Sequence, residues 1–285
     1  MQQKEEILSQ LHAMCARDET ATRCHRNYFK EEVNEDCRKK MVDWCFTVVD
    51  SFNLSRESVW RAMDILDRYL SSGKGLSVKA LENKQSFQLA STVCLYMAVK
   101  VYEDVEMTID FLLKLCRNYY KSSEFINMEH DILFALNWSV SSTTPLDFVR
   151  HFLFLQSDFI DPARIDSILD AVQKQLDLAT SDVYFSSCKQ SSVGIACLGA
   201  ALVESDVSHA DQEQFWLQLS SVLNFDVASK QVRVVERRML SGSTICKPKR
   251  PSQLVLSKTP SQVSCNESNN EQTSPVSVLS WAQCI

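Results

Sequence analysis

The spacing of apolar and polar positions reads as a succession of helical stretches separated by short polar loops. Most of them are amphipathic, and one is not. Residues 87–101, FQLASTVCLYMAVKV, carry apolar, small or hydroxyl side chains at thirteen of fifteen positions, with only Gln88 and Lys100 outside that set. A helix that is apolar all round needs neighbours all round, and this one is shorter than the roughly 20 apolar residues that span a bilayer. The pattern predicts a buried central helix. Lys100, near its C-terminal end, is the odd residue: it either snorkels to water at the helix's negative end or is kept for a partner.

Residues 2–17 precede it as a short amphipathic helix with Ile7, Leu8, Leu11, Met14 and Cys15 on one stripe. Residues 36–52 form the first long helix, with Met41, Trp44, Cys45, Val48 and Val49 facing inward. Residues 56–70 form the second and stop at Ser71-Ser72-Gly73-Lys74-Gly75, which reads as a loop. After the central helix come 108–116 and 122–136, the latter capped by Ser122 or Ser123 with Glu124 in its first turn. The plan then repeats. Thr144-Pro145-Leu146-Asp147 and Asp161-Pro162 are helix starts with proline at the first helical position. A second apolar stretch, residues 193–203, lies about a hundred residues after the first, with helices expected at 210–222 and 227–240.

Composition agrees with an all-α chain. The six prolines lie at 145, 162, 248, 251, 260 and 275, so the first 144 residues have none. A net charge of −6 and a pI near 5.5 tell against a broad phosphate-binding surface. The eleven cysteines are scattered without close pairs or a secretory signal, and read as thiols of a reducing compartment. Cys24-His25 has no second ligand cluster at zinc-site spacing, so neither a metal nor a cofactor is expected. No Gly-rich phosphate loop, nucleophile elbow or HExxH occurs, and an enzyme is not expected. Residues 241–285 hold four prolines and thirteen serines or threonines without apolar periodicity, which predicts a disordered tail. Within it, Thr259-Pro260 and Ser274-Pro275 fit proline-directed phosphorylation, and Lys247-Pro248-Lys249-Arg250 is a basic cluster of the kind that serves nuclear import.

Two consecutive five-helix units built on apolar third helices resemble the paired boxes of the cyclin family. The motif Cys37-Arg38-Lys39-Lys40-Met41-Val42-Asp43-Trp44 is similar to the opening of the first cyclin helix. Residues 62–70, AMDILDRYL, resemble the close of the second, 97–103, MAVKVYE, the end of the third, and 128–133, MEHDIL, the fifth. The resemblance spans roughly residues 1–240. It implies an N-terminal helix and linker over 1–35, a first box over 36–141, a second over 142–240 and the tail over 241–285. About seven extra residues stand between Asp67 and Leu89, with residues 73–84 the expected site of a longer surface loop.

By that resemblance Arg38 and Asp67 form an internal ion pair, and Lys100 and Glu129 contact a cyclin-dependent kinase catalytic subunit. Leu133, Trp138 and Val140 form the apolar seat beside them. Lys100 and Glu129 are expected to leave their charges unpaired in the free subunit. A substrate-docking groove would fall on Cys37, Lys40, Met41, Trp44, Thr47, Phe87 and Gln88. Only Trp44 and Gln88 match the usual residues there, and Lys40 and the missing acid at Thr47 disfavour basic docking peptides.

The implied protein is a non-catalytic kinase regulator of nucleus and cytoplasm, without direct nucleic-acid or membrane binding. Kinase inhibitors and ubiquitin-ligase machinery are further implied partners. The first box looks closest to D-type or other G1 cyclins. The LxCxE motif of many D-types is absent, and the few residues before the box leave no room for the N-terminal destruction signal of mitotic cyclins. The competing reading is a transcription factor of the same fold, or a transcription-type cyclin. A transcription factor predicts basic faces and a zinc ribbon, which the sequence lacks.

Overall fold

The computed structural model describes residues 2–21, 23–24, 28–155, 160–205, 207–223 and 229–245, among which every regular element is helical. The elements are α1 (Gln2–Thr20), α2 (Glu35–Ser51), α3 (Glu57–Ser72), α4 (Ser77–Glu82), α5 (Lys84–Tyr102), α6 (Ile109–Leu115) and α7 (Ser122–Ala135). They continue with α8 (Pro145–Leu155), α9 (Pro162–Ser181), a 3-10 turn (Val183–Ser187), α10 (Gln190–Glu204), α11 (His209–Leu223) and α12 (Lys230–Ile245).

Side-chain caps set many of the starts. Asn34 accepts from Cys37 N at 3.1 Å, Asn83 from Ser86 N at 2.9 Å and Asp161 from Ala163 N at 3.0 Å. Thr144 and Asp147 form a reciprocal box: Asp147 N donates to Thr144 Oγ1 at 3.2 Å, and Thr144 N donates to Asp147 Oδ2 at 2.9 Å. At α7 neither serine is the cap. Ser122 is already helical, and the Glu124 carboxylate instead accepts the Lys121 N–H at 2.7 Å.

The two apolar stretches are the centres of two packed groups. From Phe87 to Val99 every side chain of α5 is buried, against α3, α4, α7 and α2. α10 is surrounded by α8, α9, α12 and α1. It approaches α8 so closely that a Cβ on Gly194 would lie 2.8 Å from the Pro145 carbonyl oxygen, a contact that only glycine avoids.

Two further expectations are corrected. The extra residues after α3 do not simply lengthen a surface loop: six of them form α4, which buries Ser77, Ala80 and Leu81 against α3 and α5. Gly75 has a left-handed φ of 56°, and a Cβ there would strike the Asp131 carboxylate at 2.1 Å. Asp131 Oδ2 in turn accepts from Leu76 N at 2.8 Å and Tyr69 OH at 2.6 Å, so the segment is tied to α7. The last helix also begins and ends later than expected, at Lys230–Ile245 in place of 227–240. Thr259 and Ser274, with the rest of the tail after 245, lie outside the described residues.

α1 serves the second group, through Leu11, Met14 and Asp18. The Asp18 carboxylate caps α10 from a distance in sequence. It accepts from Gln190 N at 3.1 Å, Ser191 N at 3.0 Å and Ser191 Oγ at 2.6 Å, satisfying N–H groups that the helix itself leaves open. Arg23 fastens this contact, donating to Asp18 Oδ1 at 2.8 Å and to the Cys188 carbonyl at 2.7 Å.

Candidate functional site

The Arg38–Asp67 pair is present, buried and bidentate. Arg38 Nε and Nη2 reach Asp67 Oδ1 and Oδ2 at 2.8 and 2.7 Å, and both side chains are 3% exposed. Tyr28 OH adds a 2.6 Å hydrogen bond to Asp67 Oδ1, while Arg38 Nη1 donates to the Thr180 carbonyl at 2.6 Å. One guanidinium therefore joins α2 to α3 and also to α9 in the second group. Burial works against its charge, but the Asp67 carboxylate outweighs this and leaves the Arg38 pKa raised. Burial and then the same carboxylate push the Tyr28 phenol up. With these bonds made, nothing is offered to a partner.

Lys100 and Glu129 present a different picture. α5 and α7 lie side by side, which brings Lys100 Nζ to 3.2 Å from Glu129 Oε1 and 5.4 Å from the Tyr96 ring centroid. The two charges are paired within the free chain, contrary to the expectation, because adjacent helices put both within reach of each other. The pair is nonetheless open: the Lys100 side chain is 57% exposed and that of Glu129 16%. The hydrogen bond to Glu129 raises the Lys100 pKa against the opposing effect of burial.

The residues expected to seat a partner divide. Leu133 and Val140 are half-buried and pack against the core. Trp138 is 63% exposed. It follows Asn137 in two successive left-handed residues, φ 50° and 61°, a conformation costing non-glycine residues roughly 1–2 kcal/mol each. This turn throws the indole outward just past the end of α7. Phe134, 64% exposed, stands beside it with ring centroids 6.0 Å apart and was not picked out from the sequence. Its spacing of four from both His130 and Trp138 was the available signal.

The proposed substrate groove is largely closed. Cys37, Met41, Trp44, Phe87 and Gln88 are all buried, and Gln88 Oε1 accepts from Tyr120 OH at 2.9 Å. Thr47 is exposed and donates to the Asp43 carbonyl at 2.9 Å, while Lys40 is half-buried at the rim. Elsewhere, a cleft of about 930 Å³ lies between α1, α3 and α8. Its Arg23, Arg61 and Arg68 are already paired with Asp18, with Glu57 and Asp147, and with Asp64.

Comparison with known proteins agrees with the residue pattern. Residues 10–141 match the cyclin N-terminal domain family. The G1/S-specific cyclin-D1 of Xenopus laevis is 30% identical over 207 residues, covering 70% of this chain and 68% of that protein. The human G1/S-specific cyclin-D1 is 29% identical over 181 residues, 62% of this chain and 58% of that protein. The G2/mitotic-specific cyclin-B3 of Gallus gallus is 29% identical over 123 residues, 43% of this chain and 29% of that protein. Among solved structures, a viral cyclin from herpesvirus saimiri superposes with a TM-score of 0.65 at 21% identity, covering 83% of this chain and 99% of that one.

Proposed function

Because the chain belongs to the cyclin family, we propose that it is the regulatory subunit of a cyclin-dependent Ser/Thr protein kinase, acting in G1 or at the G1/S boundary of the cell cycle. It has no chemistry of its own in this reading. It packs against the mobile helix that carries the kinase's active-site glutamate and holds that glutamate inward, where it pairs with the lysine that positions the ATP phosphates.

The observation that carries the proposal is an ion pair open to solvent on one side and an exposed indole: Lys100 and Glu129 in contact at 3.2 Å, and Trp138, 63% exposed, in the turn just past the helix bearing Glu129. Their mutual bond does not exhaust either group. A lysine has three N–H donors and a carboxylate several acceptor positions, so each can keep its neighbour and still bond the kinase backbone. The pairing fixes where the unused donors and acceptors point before the kinase arrives, which lowers the entropy lost on docking. Leu133 and Val140 form the floor, and Trp138 is the large aromatic anchor such an interface needs.

Phosphorylation of Thr259 and Ser274 would make the tail a handle for ubiquitin-ligase machinery, setting abundance in nucleus and cytoplasm while leaving kinase activation unchanged. Kinase inhibitors that recognise the complex are further partners in this reading.

The test is to co-express the chain and its Lys100→Ala and Glu129→Ala variants with cyclin-dependent kinase catalytic subunits, then measure melting temperature and co-precipitated kinase activity. Variants that melt like the parent but capture and activate little kinase are the expected result. Full activation by the double variant would overturn the assignment.

A further inference from the structure

Along α7 and the turn that ends it, Ile126, His130, Phe134 and Trp138 are all exposed at a constant spacing of four residues. On α7 itself the spacing of four sets Ile126, His130 and Phe134 on one ridge, and the turn adds Trp138 at its end. The rings touch in sequence: His130 and Phe134 have centroids 6.3 Å apart at 65°, and Phe134 and Trp138 6.0 Å apart at 71°. Both pairs are edge-to-face, a favoured arrangement for aromatic side chains. None of the four closes the core, a task left on this helix to Phe125, Met128, Ile132 and Ala135. Scattered exposed apolar residues are ordinary, whereas a continuous ridge of one isoleucine and three rings is the kind of surface that marks an interface.

We propose that this ridge is a second strip of the kinase-docking surface, seated on apolar side chains of the catalytic subunit beside its mobile helix, with Phe134 as its central anchor. The inference rests on the kinase-subunit reading above. Continuity ties the ridge to that partner, because Trp138 belongs to both strips. A catalytic subunit that covers the indole comes within reach of a phenyl ring whose centroid is only 6.0 Å away. The ridge therefore also selects. A catalytic subunit with an apolar surface opposite Phe134 gains its burial, while one with a charge there must desolvate that charge against a ring that cannot hydrogen-bond it.

The experiment uses the full chain and its Phe134→Asn, Phe134→Glu and Phe134→Tyr variants, titrated against purified cyclin-dependent kinase catalytic subunits, with Lys100→Ala and Glu129→Ala in parallel. For the tightest-binding kinase, Phe134→Asn should weaken affinity at least tenfold and Phe134→Glu further, Phe134→Tyr should restore most of it, and all three should melt like the parent. Unchanged affinity for Phe134→Asn, where Lys100→Ala and Glu129→Ala lose binding, overturns the ridge and leaves the kinase reading standing. No kinase bound by the parent chain overturns both. A fall in melting temperature that accounts for the lost affinity makes Phe134 structural. Loss of self-association with intact kinase affinity assigns the ridge to a second copy of this chain.

Discussion

The molecule contains two cross-helix ion pairs with the same separation in sequence, Arg38–Asp67 and Lys100–Glu129, each 29 residues apart. The first is bidentate, 3% exposed on both sides and completed by Tyr28 and Thr180. The second is a single 3.2 Å contact with one partner 57% exposed. The same chemistry thus does opposite work. A buried charge is tolerable only when its hydrogen bonds are made inside the protein, so the first pair is committed to the fold. An exposed pair adds little to stability, and its remaining donors and acceptors stay available. Burial and completeness of the network separate a pair committed to the fold from one left open to solvent; residue type and spacing do not.

The sharpest way to break this comparison is to remove one side of the buried pair. Arg38→Ala strands Asp67 and frees the Thr180 carbonyl, and should cost about 3–5 kcal/mol in denaturant unfolding. A loss below about 1 kcal/mol would put the two pairs in one class.

Alkaline pH provides the next largest effect. Burial raises the thiol pKa of Cys45, Cys94 and Cys197 well above the ordinary value. The folded chain therefore keeps these protons after the unfolded chain has begun to lose them, near pH 8.5. Stability is full below that pH and falls above it until the folded-state values are reached. The Lys100 pKa is raised as well, so its stabilising contact with Glu129 is present below the unfolded lysine value and lost only as pH passes the folded one. Melting temperature should drop steeply between pH 8 and 10 while kinase capture by the still-folded fraction persists at pH 9.

Asp18→Ala tests a buried acid that caps rather than pairs alone. It should cost about 1–3 kcal/mol, because the Gln190 and Ser191 N–H groups lose their acceptor. Thermal unfolding checks this, with Asp18→Asn recovering part of the loss. The smallest effect is expected from a double-mutant cycle on Lys100 and Glu129, with a stability coupling of about 0.2–1 kcal/mol. A coupling above about 2 kcal/mol would move this pair toward the structural class.

Much of this architecture is legible in the sequence because it rests on local chemistry. The uninterrupted apolar run identifies α5 and the Asp-Pro and Thr-Pro starts identify α8 and α9, since neither inference needs a distant contact. Arg38 and Asp67 were legible through the motifs that contain them. What escaped depends on residues far apart. α4 is only six residues long between turn signals, and its placement rests on Gly75 meeting Asp131. No local periodicity reveals such a helix. The Lys100–Glu129 bond was missed because helix ends were read one at a time, whereas their closeness follows from how α5 and α7 pack. The resemblance points to Leu133 and not to its neighbour Phe134, whose only signal in the sequence is the four-residue spacing from His130 and Trp138.

The cap supplied by Asp18 sets an order of events in the making of the protein. Its acceptors serve Gln190 and Ser191, 172 and 173 residues further along the chain. At synthesis rates of about 5–20 residues per second, α1 leaves the ribosome roughly 10–35 s before the helix it caps exists. Through that interval α8, the helix against which most of α1 packs, is made before α10, while the Asp18 carboxylate still has no helix end to cap. The anchoring of α1 is thereby completed late, so a ribosome-bound chain stopped before residue 188 presents a cyclin box whose N-terminal arm lacks the Asp18 cap and the Arg23 bond to Cys188 that fasten it.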